Sequence, residues 1–392
     1  MSTKTLPGTP SWLRQRNERT VLSVLFDHGV LTRNRIGELS GLSKPTASQI
    51  VAHLGDVGII EAVGEVSRGR GPNAATYSVR SDRGLGVAVD IGESEMRSTV
   101  VDVNGTEYPI AETVIDASEG DRAAASVVQQ AVDAACAAAG KSPSAVRVVS
   151  LGIPGSVDPR TDELSFIDAL PNWPTKNVRA QLEAELGFEV VIDNDVNLAA
   201  IAVRSEGSGA EANSFALLWM GEGLGLAVDL AGAVHRGAAG GAGEIGYLPA
   251  PRNAAEIDPD ATDLQQLFGQ AAILAISRAH GVSGDDRAVL EALTTHPARA
   301  AVLTEVARRV AIGVVPVLAI LDPELIVLGG PVGAAGGELL AELVSSEVRR
   351  TTLWHPRITD SGIAVHPVLR GARIVLVREV RQRLLHELEA KS

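Results

Sequence analysis

Five apolar runs of this 392-residue chain end in a glycine or aspartate turn, and this pattern restricts the fold more than any other feature of the sequence. The runs lie at 86–92, 146–153, 190–192, 216–220 and 325–328. Strands that end in such turns are typical of α/β proteins, whose functional sites lie at the carboxyl ends of the strands. The sequence therefore predicts an α/β domain over residues 84–392.

Residues 14–80 show a different pattern, in which three short amphipathic helices precede two strands. Apolar residues at helical spacing predict a first helix that ends at Gly29, a residue free to adopt a left-handed conformation. Thr32 and Ser43 are N-cap residues for a second helix and for a third helix over about 44–56. This order of caps and turns predicts a winged helix-turn-helix domain at 14–80.

The third helix has one apolar and one polar face, and the polar face suits contact with DNA. Its apolar residues are Ala47, Ile50, Val51 and Leu54, and its polar residues are Lys44, Thr46, Ser48, Gln49 and His53. Hydroxyl and amide side chains can hydrogen-bond base edges or phosphates, and the Lys44 ammonium group can pair with a phosphate. The alternative is a generic three-helix unit with a solvated polar face.

A basic, glycine-rich loop at 67–72 lies between strands predicted at 58–63 and 75–79. Arginines on a thin glycine backbone can enter a narrow minor groove, so we expect Arg68 and Arg70 to bind DNA. The distribution of charge agrees, because residues 1–80 carry a net +4 and the remainder carries −17. A basic head on an acidic body presents the head to a double-stranded DNA operator.

Composition excludes several other classes of protein. The single cysteine, Cys136, excludes an internal disulfide and a multi-cysteine metal site. The chain has no run of about twenty apolar residues, and residues 1–20 lack the apolar core of a signal peptide. We therefore expect a cytoplasmic protein with no membrane partner.

Four motifs of the large domain occur together. They are Asp-x-Gly at 90–92, Asn-Asp-x-Asn at 194–197, Gly-x-Gly-x-Gly at 221–225 and Gly-Ala-Gly-Glu-Ile-Gly at 241–246. Together they resemble the ROK family, which groups sugar-responsive repressors with sugar kinases, and the resemblance covers nearly all of residues 14–390. It implies a two-lobed actin-like, or ribonuclease H-like, sugar-kinase fold. The first lobe would include 84–198 and a C-terminal helix at 373–390, and the second lobe would cover 199–372.

The resemblance also implies roles for individual residues. In the family the two glycine-containing turns contact ATP phosphates, and the Asn-Asp-x-Asn segment supplies the catalytic base, here Asp195. The glutamate that contacts the sugar would be Glu244, and the stretch 171–173 would line the sugar pocket. Family members assemble as homodimers or homotetramers through the large domain, and we expect one of these states here.

The departures from the family pattern concern metal and phosphate. Tyr247 stands where the family has a zinc-binding histidine, and the segment 251–262 replaces a cysteine cluster, so no thiolate zinc site can form. Glu93 and Glu222 stand in the two phosphate turns. Each carboxylate beside a triphosphate adds repulsion of about 1 kcal/mol even at high dielectric. The sequence thus predicts no nucleotide cofactor, no metal and no catalysis.

We interpret Asp195 as a vestigial base that holds a ligand hydroxyl, the alternative being a working general base. The predicted ligand-binding residues are Asn172, Asn194, Asp195, Glu244 and Tyr247. Glu244 could instead stabilise N–H groups at a helix start, and Tyr247 could stack on the loop that replaces the zinc cluster. Asn172 and Trp173 could line the sugar pocket or only anchor their loop.

Two functions follow from these features, with a third kept open. The first is a sugar-responsive DNA-binding regulator, a repressor, whose kinase-like domain binds a sugar or sugar derivative without phosphorylating it. The second is an active sugar kinase with an added DNA-binding domain. The third is a regulator that has lost its small-molecule ligand and responds to a protein partner.

Overall fold

The computed structural model describes residues 10–66, 73–115, 124–166, 170 and 173–391. Its N-terminal elements are α1 Pro10–His28, β1 Leu31–Thr32, α2 Arg33–Ser40, α3 Lys44–Asp56, β2 Ile60–Val66 and β3 Ala74–Val79. Strand β3 pairs antiparallel with both β1 and β2, which gives a three-stranded sheet. Three helices followed by such a sheet form a winged helix, as the sequence predicts.

Local capping fixes the second and third helices. The Thr32 side chain accepts a hydrogen bond from the Arg35 backbone N–H at 3.4 Å, and the Ser43 hydroxyl accepts one from Thr46 at 3.3 Å. Gly41 ends α2 with φ +69°, a left-handed conformation that favours glycine. Both predicted caps are confirmed. The apolar face of α3 is buried at all four predicted positions, namely Ala47, Ile50, Val51 and Leu54.

The large part of the chain contains two five-stranded sheets. The elements up to the central helix are β4 Leu85–Ile91, β5 Glu95–Asp102, β6 Ile110–Val114, α4 Ala124–Ala139, β7 Val146–Ile153, β8 Ser156–Val157, β9 Leu164–Ser165, α5 Val178–Leu186, β10 Glu189–Asn194 and α6 Asp195–Glu206. Those that follow are β11 Ser214–Met220, β12 Leu224–Leu230, β13 Ala233–Val234, α7 Leu264–Phe268, α8 Gln270–Ala279, α9 Asp286–Ala292, α10 Arg299–Leu321, β14 Leu325–Gly329, α11 Gly330–Thr351, β15 Ile358–Asp360 and α12 Pro367–Lys391.

The two large sheets share one topology. In the first sheet the order is β10-β7-β4-β5-β6, and in the second it is β13-β12-β11-β14-β15. Each sheet begins with three antiparallel strands in succession and adds two later strands parallel to the first of them. The Asp-x-Gly and Asn-Asp-x-Asn motifs lie at the carboxyl ends of the parallel strands β4 and β10. This repeated arrangement defines two lobes, each with its own sheet.

Helix α6 lies between the two sheets. Its apolar residues, such as Leu198 and Val203, belong to one hydrophobic cluster with Ala88 and Val148 of the first sheet and Phe215 of the second. The lobe boundary expected at 198/199 therefore falls inside a helix that both sheets bury. The expected domain and lobe limits stay a prediction, and the C-terminal helix begins at Pro367 instead of 373.

Helix α12 packs on the first sheet and on α6 at very short distances. A Cβ atom on Gly86 of β4 would lie 2.9 Å from Leu376 Cδ2. A Cβ atom on Gly371 of α12 would lie 1.8 Å from the Leu198 carbonyl oxygen. Glycine at both positions therefore allows α12 to approach the strand and the central helix.

The same helix fixes the winged helix to the first lobe. The Arg381 Nη2 donates to the Phe26 carbonyl oxygen at 3.0 Å, and its guanidinium carbon lies 5.0 Å from the Phe26 ring centroid. Arg381 Nε donates to the Val103 carbonyl oxygen at 2.9 Å, so one side chain joins the two parts. Asn104 adds a hydrogen bond to the Val79 carbonyl oxygen at 2.8 Å. Within the described ranges, no helix has the length and hydropathy needed to cross a membrane.

Candidate functional site

The carboxyl ends of the parallel strands of the first sheet bring two motif residues and one further serine to the same edge. Asp90 ends β4, Ser156 follows β7, and Asp195 follows β10. In the second sheet, the glycine turn 221–223 joins β11 to β12 and faces the first lobe. The structure therefore places the Asp-x-Gly, Asn-Asp-x-Asn and Gly-x-Gly motifs around one interlobe cleft, as expected for this kind of fold.

Asn194 caps the helix that begins with Asp195. Its side-chain oxygen accepts from the Asn197 backbone N–H at 3.1 Å, and its amide nitrogen donates to the Gly155 carbonyl oxygen at 3.2 Å. Both ends of the carboxamide thus have protein partners. The structure gives Asn194 a capping and cross-linking role, and its contact with a ligand stays a prediction.

Glu244 is oriented by a hydroxyl from the other lobe. The Ser156 hydroxyl donates to Glu244 Oε1 at 2.7 Å. Glu244 makes no side-chain capping bond to the short helix Ile245–Tyr247, so the alternative of a helix-start carboxylate is wrong. The preceding Gly243 has φ +96°, and a Cβ atom there would lie 1.7 Å from the Leu226 carbonyl oxygen. Only glycine allows this loop to press against β12 and present Glu244 to the cleft.

The carboxyl groups of the cleft hold their protons more tightly than usual. Burial is the main cause that raises the pKa of Asp195 to about 7. A backbone N–H bond from Val196 lowers this pKa, and the nearby charges of Asp90 and Glu244 add to the rise. Burial also raises the pKa of Asp90 to about 6, and the pKa of Glu244 is raised for the same reason. A group of like charges in a shielded cleft favours ligands that are not anionic.

Glu222 of the second glycine turn lies close to Glu93 of the first. Burial and the Glu93 charge raise the pKa of Glu222, whereas the Glu93 backbone N–H lowers it. A phosphate cradle offers such backbone N–H groups to its ligand. Here the Glu93 N–H lies near a carboxylate, so negative charge stands where a phosphate would bind.

The glutamate-bearing turn is also held from behind. Gln265 Nε2 donates to the Glu222 carbonyl oxygen at 3.0 Å, and its Oε1 accepts from the Leu224 backbone N–H at 2.7 Å. Pro331 Cδ would lie 3.3 Å from a Cβ atom on Gly221. The first residues of α11 therefore pack against the turn that carries Glu222. These contacts fix the turn in a closed arrangement.

Tyr247 stacks on a residue that the sequence analysis did not single out. Its ring centroid lies 5.2 Å from that of Phe166 at an interplanar angle of 47°. Tyr247 thus has a ring contact with Phe166, and its contact with a ligand stays a prediction. Trp173 is 8% exposed and packs in the core of the first lobe, which supports the loop-anchor interpretation. Asn172 lies outside the described residues, and its ligand contact stays a prediction.

Two ion pairs that hold the site loops were missed from the sequence. Arg236 contacts Asp193 at 2.6 Å, which ties the loop before Glu244 to the strand before Asp195. Arg309 of α10 contacts Asp258 at 2.7 Å within the segment that replaces the cysteine cluster. This pair holds the segment to α10. The described part of the chain has no group of three or more His, Cys, Asp or Glu side chains placed to hold a metal ion.

A groove of about 680 Å³ lies away from the cleft, between β10 and α12. Its lining mixes charged and apolar residues, and the Arg383 guanidinium is already paired with Glu189 and Glu379. It contains none of the motif residues. The interlobe cleft therefore stays the candidate ligand site.

The candidate DNA face lies on α3. Lys44, Ser48 and Gln49 are exposed, and Thr46 is half-buried with its hydroxyl 2.8 Å from that of Ser43. Arg68 and Arg70 lie outside the described residues, so their contact with DNA stays a prediction.

His53 differs from the expectation that it belongs to this face. Its Nε2 lies 2.8 Å from Arg14 Nη2 and 3.5 Å from the buried Glu18 carboxylate, so it ties α3 to α1. The signal was present in the sequence, since an acidic residue inside an apolar helix face calls for a partner.

Comparison with known proteins agrees with this geometry. The family model of the ROK family matches residues 86–378. The xylose repressor of Caldicellulosiruptor bescii is 22% identical over 402 residues, which cover 95% of this chain and 98% of that protein.

Two solved structures show the same fold. A ROK family transcriptional regulator, a homologue of the E. coli Mlc protein, superposes with a TM-score of 0.69 at 16% identity and covers 97% of this chain and all of its own. A ROK family glucokinase from Streptomyces griseus, in complex with glucose and AMPPNP, has a TM-score of 0.59 at 21% identity, with 74% of this chain and 99% of its own covered.

The fold is thus the two-lobed actin-like fold of sugar kinases, preceded by a winged helix. The chain belongs to the ROK family.

Proposed function

We propose that this chain is a sugar-responsive DNA-binding transcriptional regulator, a repressor acting in the cytoplasm, whose cleft binds a sugar without phosphorylating it. The observation that carries the proposal is the winged helix fixed to the lobe that contains Asp195. Lys44, Ser48 and Gln49 are exposed on its third helix, α3, which we take as the recognition helix. A kinase needs no such element. The similarity over nearly the whole length to a xylose repressor supports the same function.

Absence of phosphoryl transfer is supported by the phosphate turns. Transfer from ATP depends on positioning and on neutralising the charge of the phosphates. The Glu222 carboxylate beside Glu93 places negative charge where that neutralisation is needed. The residues present do not fit a triphosphate, and we derive no catalytic step through one.

The charge of the cleft supports an unphosphorylated ligand. Asp90, Asp195 and Glu244 face the same space, and the pKa of each is raised by burial. A phosphate or carboxylate on the sugar would meet like charges in a shielded site. Hydroxyl groups instead donate to carboxylates, which suits a neutral sugar or an amino sugar.

One observation favours the second function, an active sugar kinase. Asp195 begins α6 at the position of the family base, and its pKa of about 7 suits a general base that works near neutral pH. The site therefore retains a proton acceptor, Asp195, whereas the carboxylates of the phosphate turns disfavour binding of ATP. The two functions make opposite predictions for ATP turnover.

Ligand binding would reach the DNA face through two helices. Helix α6 begins at the ligand site and is packed against α12, and α12 contacts Phe26 of the winged helix through Arg381. Closing of the cleft around a sugar would therefore change the placement of the winged helix. In a homodimer or homotetramer this change alters the spacing of two half-sites. The shift is limited by the difference in ligand affinity between the two states.

DNA binding can be tested with operator sequences selected from genomic fragments by the full chain. Gln49→Ala should weaken binding to the selected site by roughly 1–3 kcal/mol and relax sequence preference if Gln49 makes a bidentate base contact. Arg68→Ala with Arg70→Ala should weaken binding on all sequences and flatten the salt dependence. Fluorescence anisotropy at several salt concentrations measures both effects.

Matched variants separate these contacts from general charge effects. Gln181→Ala removes an exposed glutamine from α5, and Arg287→Ala with Arg349→Ala removes two exposed arginines from the second lobe. Both controls should keep the affinity of the unchanged protein. If the wing variant binds like the unchanged protein, the wing is not part of the DNA interface.

The ligand part of the proposal is tested by adding unphosphorylated sugars and sugar phosphates to the DNA complex. We expect a neutral sugar or an amino sugar to change the affinity for DNA, and the phosphorylated forms to be inactive. ATP turnover with magnesium and the same sugars should stay at background. Sugar-dependent turnover that Asp195→Asn abolishes would contradict the regulator-only function and establish the kinase.

A further inference from the structure

Two aromatic side chains stand exposed at the mouth of the cleft. Phe166 is 44% exposed and Tyr247 is 58% exposed, and their rings are in tilted contact. Large apolar side chains in contact with each other and with solvent are typical of surfaces that bind a ligand. Neither ring fills the protein core, so packing alone does not account for the pair.

Each residue of the pair lies close to the proposed sugar site. Phe166 follows Ser165, which pairs with Ser156 in the short β8–β9 ladder, and the Ser156 hydroxyl donates to Glu244. Tyr247 follows Glu244 by three residues within the same turn. A Cβ atom on Gly241 would lie 3.2 Å from the Phe166 ring, so the glycine loop runs directly beneath it. The rings therefore border the space that Glu244 faces.

The backbone of Phe166 is strained. Its φ of +57° lies in the left-handed region, which bulky side chains rarely adopt. A glycine or an asparagine would adopt this conformation at lower cost. Strain of this kind that holds a side chain in one place is concentrated at ligand-binding positions. The strain here presents an exposed phenyl ring beside a sugar site.

We propose that Phe166 and Tyr247 form a stacking platform for a second ring attached to the sugar held by Glu244 and Asp195. The apolar face of a pyranose or an aromatic aglycone packs on such rings, while its polar edge stays in water. The effector class is then an uncharged disaccharide or a glycoside with a ring aglycone. This inference rests on the proposed function and specifies the ligand of that same site.

The test compares each monosaccharide with its disaccharide on the full chain by titration calorimetry. The probes are xylose with xylobiose, glucose with cellobiose, and glucose with maltose. At least one disaccharide should bind more tightly than its monosaccharide. Phe166→Gly removes the ring and also relieves the strained φ, so the variant should fold at least as well as the unchanged protein.

In Phe166→Gly the ratio of disaccharide to monosaccharide affinity should fall roughly 3- to 10-fold, as expected for loss of one stacking contact. Phe166→Trp should keep the ratio, because it restores a stacking surface. The control Trp354→Ala removes a partly exposed aromatic ring from the second lobe and should also keep it.

Three results would count against the inference in different ways. Disaccharides that bind no more tightly than monosaccharides would overturn the platform while the proposed function stands. An affinity ratio unchanged in Phe166→Gly would do the same. No heat of binding with any monosaccharide or disaccharide would overturn the sugar-responsive function itself, and the platform with it.

Discussion

The sugar side and the phosphate side of the cleft share one fold and differ in what their carboxylates contact. On the sugar side, Glu244 accepts a hydrogen bond from the Ser156 hydroxyl, and Asp195 starts a capped helix. On the phosphate side, the Glu222 carboxylate lies near Glu93, and burial and the Glu93 charge raise the pKa of Glu222. The first arrangement leaves carboxylate oxygens for ligand hydroxyls, and the second sets two carboxyl groups where a phosphate would need donors.

Under the function proposed above, binding of a sugar and transfer of a phosphoryl group would be separable properties of the same cleft. Sugar binding needs a few oriented acceptors at one strand edge. Transfer needs, in addition, backbone donors and positive charge at a second edge. Two carboxylate side chains at the second edge oppose transfer without disturbing the first.

The largest difference between the two sides should appear when a Cβ atom is added to a glycine on each side. Gly243→Ala should lower the free energy of unfolding by about 3 kcal/mol or more, because the new Cβ would lie 1.7 Å from the Leu226 carbonyl oxygen at a φ of +96°. The matched change on the phosphate side, Gly223→Ala, meets nothing within 4 Å and should change stability by about 0.5 kcal/mol or less. Urea denaturation measures both. Equal losses would show that the two sides are under the same steric constraint.

A second test uses pH. The pKa of Asp195 in the folded state is about 7, above its unfolded value of about 3.9, so the folded state binds more protons between these values. The free energy of unfolding should therefore fall as pH rises from about 4 to 7, by on the order of 2 kcal/mol after allowance for partial solvent access. Asp195→Asn should remove most of this slope. The smaller part due to Asp90, whose pKa is about 6, should disappear in Asp90→Asn.

The control for the pH test is Asp133→Asn, which removes an exposed carboxylate from α4. It should keep the slope of the unchanged protein in denaturation measured at each pH. A slope of the opposite sign, or one that Asp195→Asn leaves intact, would show that burial of the sugar-side carboxylate is not what couples stability to pH.

The smallest expected effect is a partial return of nucleotide binding. Glu222→Thr with Glu93→Ala removes two carboxylates from the phosphate turns and puts a hydroxyl and a methyl group in their place. Each like-charge contact contributes about 1 kcal/mol, so the affinity for AMPPNP with magnesium should rise roughly 5- to 30-fold. Titration calorimetry at low salt measures it. Glu211→Thr with Glu256→Ala changes the net charge equally at exposed sites and should have little effect.

Such a gain in AMPPNP affinity would show that the Glu93 and Glu222 side chains are what weakens nucleotide binding. No gain would place the cause elsewhere in the turn. Gln265 and the packing of Pro331 near Gly221 are then the contacts to change next.

The helices of the winged helix could be predicted from the sequence because their determinants are local. Ser43 caps the helix that begins at the next residue, and Gly41 supplies the left-handed turn within the same few residues. The buried face of α3 follows from helical spacing alone. The error at His53 arose from a contact with Glu18, which is distant in sequence.

The cleft could be predicted only in outline. Its motifs place Asp195 at the end of β10, which the structure shows, whereas Glu244 lies in the loop after β13. The contacts that define their chemistry join distant segments, as in the pair of Ser156 with Glu244 and that of Phe166 with Tyr247. No periodicity or cap signals these pairs, because each partner has an ordinary local sequence.

The length of α12 has a mechanical consequence. With 25 residues at about 1.5 Å per residue, this helix is roughly 37 Å long, and it runs from the back of the cleft to the winged helix. A rigid rod of that length acts as a lever. A tilt of about 3° at its first turn displaces its far end by about 2 Å, which exceeds the spread of about 0.5 Å in the donor–acceptor distances of hydrogen bonds. A cleft movement too small to alter either sheet is therefore large enough, at the end of this lever, to take a recognition helix out of register with its groove.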